Sequence, residues 1–232
     1  MRLPSTLDLL HVWEAAANEP SYERALSLLA VASEQPMQEI ADLPIGERDA
    51  RLLRLRAMLF GDAISGVSDC SSCGTRVEVN LLGSDLRARS GDSNALVFMH
   101  AGRTVSLRQL TTSDLRSIAA DPSPDKLLDR AIVSCEGGDV PDSVDWLAEV
   151  SSRLERADPR ASIEFVLHCP ACESAWTSQF DVVSFLWREL DSWASRCLRD
   201  VHDLASAYGW TESEIFSLSP LRMRRYLELI RS

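Results

Sequence analysis

Four cysteines fall into two pairs, and each pair has two residues between its members. Cys70 and Cys73 form the first pair, and Cys169 and Cys172 form the second. A Cys-x-x-Cys turn directs two thiolates at one point, and a tetrahedral zinc ion takes four such ligands. The pattern therefore predicts one structural zinc site with four cysteine ligands. Three alternatives stay open: a redox-active cysteine pair, an iron or iron–sulfur centre, and cysteines that bind no metal.

The sequence next to each pair favours the zinc interpretation. Apolar residues alternate after the first pair, and the second pair lies between the strand patterns IEFVLH and AWTSQFD. A redox pair usually opens a helix instead. The two pairs of a zinc ribbon are usually about 15–20 residues apart, yet residues 74–168 lie between these two. We therefore expect a split zinc ribbon, formed by residues 62–83 and 163–181, with a long insertion between its knuckles.

The regions around the expected ribbon have mostly helical patterns. Residues 1–61 place apolar side chains at helical spacing, which predicts an N-terminal helical region. Residues 182–232 predict a long helix that ends at Gly209. A terminal helical hairpin follows, and its last helix begins at Ser219-Pro220. The expected fold class is α+β and mostly helical.

The insertion, residues 84–162, predicts a subdomain of its own. Residues 84–94 read as a polar loop, and a β-hairpin then turns at Gly102. Helices follow, one of them expected over residues 124–135. Loop-closure entropy grows only logarithmically with length, so a self-folded insertion of this size is compatible with one metal site.

Aromatic and basic side chains in the C-terminal region are candidates for binding a partner. Trp and Arg are enriched at the energetic centres of protein interfaces. The same residues are also typical of a helix–helix core or of a solvated helix face, and the sequence leaves both interpretations open. The candidates are Trp187, Trp193, Trp210, Arg222, Arg225 and Tyr226.

A second basic row precedes the first cysteine pair. Arg48, Arg51 and Arg54 are three residues apart on one predicted helix. They predict either a solvated polar face or a surface that contacts an acidic partner.

Composition excludes several classes of function. The 232 residues carry a formal net charge of −11, which opposes nonspecific binding to nucleic acid and to anionic membranes. Lys126 is the only lysine, so no P-loop is present. Nucleophile and zinc-protease motifs are also missing, and we expect a protein that is not an enzyme.

The first residues carry Asp8, His11 and Glu14 within the apolar stretch, so we expect no signal peptide. Cysteines in a reducing compartment are thiols or metal ligands rather than disulfides. The expected location is the cytoplasm, free or associated with a particle.

Several segments, in their order along the chain, resemble the baseplate hub assembly chaperone family of T-even-type phages, in the branch carried by bacterial contractile injection systems. The segments are LPIGERDARLLRLRAMLFG, a Cys-x-x-Cys-Gly knuckle, a middle domain, HCPACESAW, and FLWRELDSWASRCLRDVHDLASAYGWTESEIFSLSPLRMRRYLELI. The resemblance covers nearly the whole chain and is strongest at residues 43–82 and 165–230. The second knuckle departs from the pattern, because Glu173 stands where Gly commonly follows.

This resemblance implies a non-enzymatic assembly factor or chaperone for the baseplate hub or spike of a phage-tail-like particle. It implies one structural zinc ion on Cys70, Cys73, Cys169 and Cys172, and partners among the baseplate, hub or spike proteins. Two other roles remain open: a zinc-ribbon structural component of the baseplate, and a zinc-ribbon regulator that binds nucleic acid or polymerase.

Overall fold

The computed structural model describes residues 1–137 and 144–231, in an α+β arrangement that is mostly helical, as predicted. The helices are α1 (Thr6–Ala15), α2 (Ser21–Ala32), α3 (Met37–Ala41), α4 (Ile45–Phe60), α5 (Gly83–Arg87), α6 (Thr112–Ser117), α7 (Pro124–Ala131), α8 (Val144–Ala157), α9 (Val182–Tyr208), α10 (Glu212–Phe216) and α11 (Pro220–Arg231), with a 3-10 helix at Ser93–Leu96. The strands are β1 (Ala63–Asp69), β2 (Arg76–Leu82), β3 (Val97–His100), β4 (Arg103–Leu107), β5 (Ile132–Glu136), β6 (Ile163–His168) and β7 (Ala175–Phe180).

Local capping explains where several helices begin. Ser5 caps α1 in a reciprocal capping box, and Thr111 and Thr211 do the same for α6 and α10. The Asp181 carboxylate accepts hydrogen bonds from two backbone N–H groups at the start of α9. That helix ends at Gly209, whose φ of 72° is left-handed, as the sequence predicts.

The main hydrophobic core lies between the N-terminal helices and the first half of α9. Leucines of α2, α4 and α9 are the largest group of side chains in it. Ile64 of β1 and Ile163 of β6 also belong to this core, so both strands leave the body from anchored positions. Its most deeply buried leucines and isoleucines include Leu26, Leu28, Leu52, Leu55, Ile64, Leu186 and Leu190.

Two separate β-hairpins project from this core. β1 pairs antiparallel with β2 from Ala63↔Leu82 to Asp69↔Arg76. β6 pairs antiparallel with β7 from Ile163↔Phe180 to His168↔Ala175. Each hairpin is a sheet of two strands, and each carries one cysteine pair at its tip.

The chain between the two hairpins has its own hydrophobic cluster. β4 lies between β3 and β5 in an antiparallel sheet, and α8 packs on one side of that sheet. A third cluster joins the second half of α9 to α10 and α11. The cluster between the two hairpins contains Phe98, Val105, Leu107, Trp146 and Val150, with half-buried neighbours around it.

The structure corrects two expectations about the insertion. The helix expected over residues 124–135 ends at Ala131, and Ile132–Glu136 form β5 because they pair with β4. The polar loop expected at residues 84–94 contains most of α5, whose Leu86 packs into the main core. Residues 138–143 of the expected subdomain, and Ser232, lie outside the described residues.

The basic row on α4 is not one solvated face. Arg48 is 4% exposed, and it pairs with the buried Asp49 carboxylate at 2.7 Å. It also donates to the Thr112 hydroxyl at 3.0 Å. A guanidinium can be buried when a carboxylate and a hydroxyl satisfy its N–H groups. The predicted solvated face is therefore wrong for Arg48, although Arg54 is exposed.

Polar contacts hold the insertion against the N-terminal helices. The Arg116 guanidinium makes two contacts of 2.6 Å with the Glu23 carboxylate. The backbone N–H of Ile45 donates to the carbonyl oxygen of Leu110 at 2.9 Å. These contacts fix the insertion on the helical body, beside the hairpins that carry the cysteines.

Candidate metal centre

The first cysteine pair forms a tight turn at the tip of the β1–β2 hairpin. The backbone N–H of Cys70 donates to the Thr75 carbonyl, and the Gly74 N–H donates to the Cys70 carbonyl, both at 2.9 Å. Gly74 has a left-handed φ of 72°, which glycine adopts without strain. The turn therefore points the two cysteine side chains away from the strands on one side of the hairpin tip.

The second pair repeats this turn on the β6–β7 hairpin. The Cys169 N–H donates to the Ser174 carbonyl at 2.9 Å, and the Glu173 N–H donates to the Cys169 carbonyl at 3.0 Å. Glu173 occupies the position of the glycine, with a φ of 59°. The turn therefore keeps its backbone conformation although Glu173 replaces glycine. The left-handed conformation is unfavourable for glutamate, which has a side chain.

The two turns bring their four sulfur atoms together. The Sγ atoms of Cys70 and Cys172 are 3.7 Å apart, and those of Cys73 and Cys169 are 3.5 Å apart. All four Sγ atoms lie within 4.8 Å of one another. A tetrahedral zinc ion with Zn–S bonds of about 2.3 Å requires sulfurs about 3.8 Å apart. The predicted convergence of these four cysteines is confirmed, and their spacing fits one metal ion.

Solvent reaches the cluster from one side. Cys70 and Cys169, the first cysteine of each turn, are buried, whereas Cys73 and Cys172 are exposed. The Trp176 indole N–H on β7 donates to the Ser68 hydroxyl on β1 at 3.3 Å, just below the tips. This contact joins the two hairpins directly.

Hydroxyl groups approach the sulfur atoms from both turns. The Ser174 Oγ lies 3.3 Å from the Cys70 sulfur and 3.0 Å from the Cys172 sulfur. The Thr75 Oγ1 lies 3.2 Å from the Cys73 sulfur only. Ser174 therefore contacts one sulfur from each turn, and Thr75 contacts one within its own turn.

These hydrogen bonds and burial shift the pKa values of the cysteine thiols in opposite directions. The Ser174 hydroxyl and then the backbone N–H groups of Cys73 and Ser72 lower the pKa of Cys70 to about 6. The Thr75 hydroxyl and backbone N–H lower the pKa of Cys73. Burial raises the pKa of the Cys169 thiol.

Ser174 and Thr75 were not among the residues predicted from the sequence. Each stands two residues after the second cysteine of its pair, in a shared Cys-x-x-Cys-x-Ser/Thr pattern. That repeated position is the signal that could have identified them. Their hydroxyls contact the sulfur atoms from outside the cluster, and metal sites use such outer contacts to orient and tune their ligands.

Other candidate ligands lie apart from the cluster. His168 precedes Cys169, but it is an exposed strand residue paired with Ala175. Cys135 packs against the cluster of the insertion. Burial raises the pKa of the Cys197 thiol on α9. Among the described residues, the four cysteines of the hairpin tips are the side chains that lie close enough together to hold a metal ion.

The candidate partner-binding residues are in different environments. Trp187 is 8% exposed and lies in the main core, with the Arg24 guanidinium 4.7 Å from its ring centroid. Trp187 therefore belongs to the helix–helix core, and the prediction that it binds a partner is wrong because the helices cover its ring. Trp193 is half-buried at the edge of the same core, and its neighbour Asp191 accepts from the Trp13 indole N–H.

The remaining candidates for partner binding lie in the C-terminal hairpin and in the turn that precedes it. The rings of Trp210 and Tyr226 meet edge to face at 4.9 Å, and both contact Tyr208. This packing leaves each of the two rings half-buried. Arg222 and Arg225 are exposed on α11, and Arg225 pairs with Glu228 at 2.8 Å.

Comparisons with protein-family models, with curated proteins and with solved structures give no match to this chain. None of the described helices is both long enough and apolar enough to span a lipid bilayer.

Proposed function

We propose that Cys70, Cys73, Cys169 and Cys172 hold one structural zinc ion. The observation that carries this proposal is the convergence of four sulfurs at the spacing of a tetrahedral thiolate site. Four protein ligands fill the coordination shell, so no position remains at which the metal could activate water. The ion would supply cross-linking energy and no chemistry on a substrate.

The zinc ion would act as a clip between two distant parts of the chain. Cys73 and Cys169 are 96 positions apart in sequence. In this proposal the hairpins form the split zinc ribbon, and residues 84–162 are the insertion between its knuckles. Because β1 follows α4 and β7 precedes α9, the clip would brace the helices that build the main core.

Metal analysis tests the clip directly. Untagged protein purified without added metal is expected to contain one zinc per chain, and Cys73→Ser is expected to lose most of it. Cys135→Ser is the matched control, because Cys135 packs in the insertion and is expected to leave the zinc content unchanged. Untagged protein without zinc would contradict the proposal.

We further propose that the chain is a non-enzymatic assembly factor for the baseplate hub or spike of a contractile injection system. The resemblance at residues 43–82 and 165–230 supports this role, since those segments contain both turns and the whole of α9. The second half of α9, with α10 and α11, supports it as well. That region packs through a small cluster of its own and exposes Arg222 and Arg225 to a partner.

The experiment is affinity purification from the native cells, with soluble complexes separated from sedimented particles. Baseplate, hub or spike subunits bound in the soluble fraction, and absence of this chain from finished particles, are the expected results. Stoichiometric presence in the particles would make the protein a structural component of the baseplate. Nucleic acid or polymerase as the bound partner would overturn the proposal in favour of a zinc-ribbon regulator.

A truncated protein assigns the surface. Removal of the residues after Gly209 deletes α10 and α11 but keeps both turns. We expect this variant to lose partner capture and to retain its zinc. Capture that survives the truncation would place the partner surface elsewhere in the molecule.

A further inference from the structure

A groove of about 710 Å³ opens between the two cysteine-bearing hairpins. Strands of both hairpins form its walls, and the first half of α9 forms its floor. The metal cluster lies at the hairpin tips, so the groove runs between the cluster and the helical body. It is distinct from the C-terminal surface described above.

Apolar side chains and serines form the walls of the groove, which is open to water. Val79 and Leu81 of β2 face Phe165 of β6 and Phe180 of β7 across it. All four side chains are half-buried, and they alternate with exposed residues along each strand. A ligand that covers these side chains would remove apolar surface from water, which favours binding.

The floor of the groove carries two exposed guanidinium groups. Arg188 and Arg196 line it and are exposed. Within residues 1–137 and 144–231, neither guanidinium takes part in an ion pair. The Arg188 Nε–H donates only to the carbonyl oxygen of Ser184, at 3.3 Å.

The acidic residues of the groove are already engaged. The Glu189 carboxylate accepts two hydrogen bonds from the Arg56 guanidinium, at 2.7 and 2.8 Å. The Asp181 carboxylate caps α9 through the backbone N–H groups of Val183 and Ser184. In a chain with a net charge of −11, the groove thus has a locally positive floor.

The spacing of the two arginines selects the form of the ligand. They are eight residues apart on α9, which corresponds to about 12 Å along the helix. Two side chains on one face of an extended strand, four residues apart, are separated by about 13 Å. An extended segment with acidic residues at that spacing would match both charges at once.

We propose that this groove binds an extended acidic segment of the partner protein, with apolar side chains against the hairpins and two carboxylates on Arg188 and Arg196. The inference rests on the proposed function, because the segment belongs to the partner protein that the assembly factor would hold. Charge complementarity identifies the occupant as an acidic segment, because the two arginines on the floor of the groove are exposed and have no ion-pair partner among the described residues.

The test uses two blocked, fluorescein-labelled nine-residue peptides that alternate valine and serine. One peptide replaces two serines, four residues apart, by aspartate, and the other replaces the same two by asparagine. Fluorescence anisotropy at low salt is expected to give about tenfold tighter binding of the aspartate peptide, since each exposed ion pair contributes modestly. The double variant Arg188→Ser with Arg196→Ser is expected to bind the two peptides equally.

A second variant blocks the groove without disturbing the fold. Gly66 lines the groove, and a Cβ atom at this position would meet nothing within 4 Å. Gly66→Leu is therefore expected to fold, to keep its metal and to abolish binding of the aspartate peptide. The matched control, Arg2→Ser with Arg130→Ser, removes two exposed arginines outside the groove and is expected to bind both peptides as the unmodified protein does.

Three results would overturn the inference: equal binding of the two peptides to the unmodified protein, binding of neither, or unchanged binding to Gly66→Leu. A concentration-dependent dimer that Gly66→Leu abolishes would identify a second copy of the chain as the occupant, which also overturns it. Failure of the proposed function would look different. The peptide preference would then hold while no baseplate, hub or spike subunit copurifies from cells.

Discussion

The backbone N–H of Gly46 donates a 2.8 Å hydrogen bond to the carboxylate of Asp158, which lies 112 positions later in the sequence. Gly46 is in the first turn of α4, and Pro44, which precedes that helix, provides no side-chain cap. Asp158 is 5% exposed, and burial raises the pKa of its carboxyl group. A residue at the end of the insertion thus caps a core helix that begins before the first cysteine.

This close contact predicts that Gly46→Ala destabilises the protein. Alanine normally stabilises a helix interior relative to glycine, by about 0.5–1 kcal/mol. Here its Cβ would lie 1.8 Å from Asp158 Oδ1, so the carboxylate must move away and the cap is lost. We expect a net loss of about 1–2 kcal/mol in the free energy of unfolding, measured by urea denaturation.

Gly66→Ala is the matched control, because its Cβ would meet nothing within 4 Å. It is expected to be neutral or stabilising by about 0.5 kcal/mol, since glycine weakens a strand interior. Equal stabilisation by both substitutions would contradict the capping role of Asp158.

The buried carboxyl of Asp49 predicts an unusual dependence of stability on pH. Burial raises its pKa to about 6, against the opposing effect of Arg48. The unfolded-state pKa is lower, near 3.8. Between these two values the native state binds a proton that the unfolded state does not, so the unfolding free energy falls as the pH rises. The shift corresponds to a loss of about 2 kcal/mol between pH 4 and pH 7.

Comparison with Asp49→Asn isolates this effect. Half-buried carboxyls with lowered pKa values, such as Asp8 and Asp62, contribute the opposite slope below pH 4, and both proteins share them. The difference in unfolding free energy, unmodified protein minus Asp49→Asn, is expected to fall between pH 4 and pH 7. Parallel stability curves for the two proteins would show that Asp49 does not titrate in this range.

The contacts of the Ser174 hydroxyl with both turns predict that this side chain slows the release of zinc from the proposed site. Its oxygen contacts sulfurs of both turns, whereas Thr75 contacts one sulfur. Loss of an outer hydrogen bond typically weakens metal affinity by about 10–100-fold. Ser174→Ala is therefore expected to release zinc to a chromogenic chelator about tenfold faster than the unmodified protein.

Thr75→Val is the control for Ser174→Ala, and it is expected to have a smaller effect on the same release rate. Equal acceleration by the two substitutions would mean that contact with both turns confers no advantage on Ser174.

The left-handed conformation of Glu173 predicts a stabilising substitution. This conformation costs a residue with a side chain about 1–2 kcal/mol, and glycine adopts it without that cost. The higher entropy of glycine in the unfolded chain offsets part of the gain. We therefore expect Glu173→Gly to raise the unfolding free energy of the metal-loaded protein by about 0.5–1 kcal/mol.

The reciprocal substitution, Gly74→Glu, is expected to lower stability by about 1 kcal/mol, since it imposes the same strain on the first turn. Thermal unfolding of both variants at equal zinc occupancy measures the effect. If both substitutions shift the melting temperature in the same direction, the two turns do not share one backbone conformation.

The cysteine cluster and the long helices were predictable because their signals are local. Cys-x-x-Cys spacing identified all four cysteines of the cluster, and the capping box at Thr211 and the left-handed Gly209 bounded the C-terminal helices. The strand β5 was missed because Ile132 continues the helical apolar pattern, while its pairing with β4 is set 25 or more residues earlier in the chain. Pairing between distant strands leaves no trace in local periodicity.

Burial of charge was equally hidden from the sequence. Arg48 reads as a surface residue until Asp49 and Thr112 are seen around it. The same is true of the groove, whose walls come from hairpins that the insertion separates. Such features depend on which distant segments meet, which the sequence of each segment alone does not specify.

The separation of the two cysteine turns has a consequence for how the protein is made. The two thiols of the first turn leave the ribosome before the second turn exists, since the second turn is synthesised 96 positions later. At about 5–20 residues per second, the first pair waits about 5–20 s for its partner. Throughout that interval the nascent chain exposes a two-thiol site to any soft metal ion or oxidant nearby. Completion of the site is therefore a late event in synthesis, and it marks the chain as translated beyond Cys172.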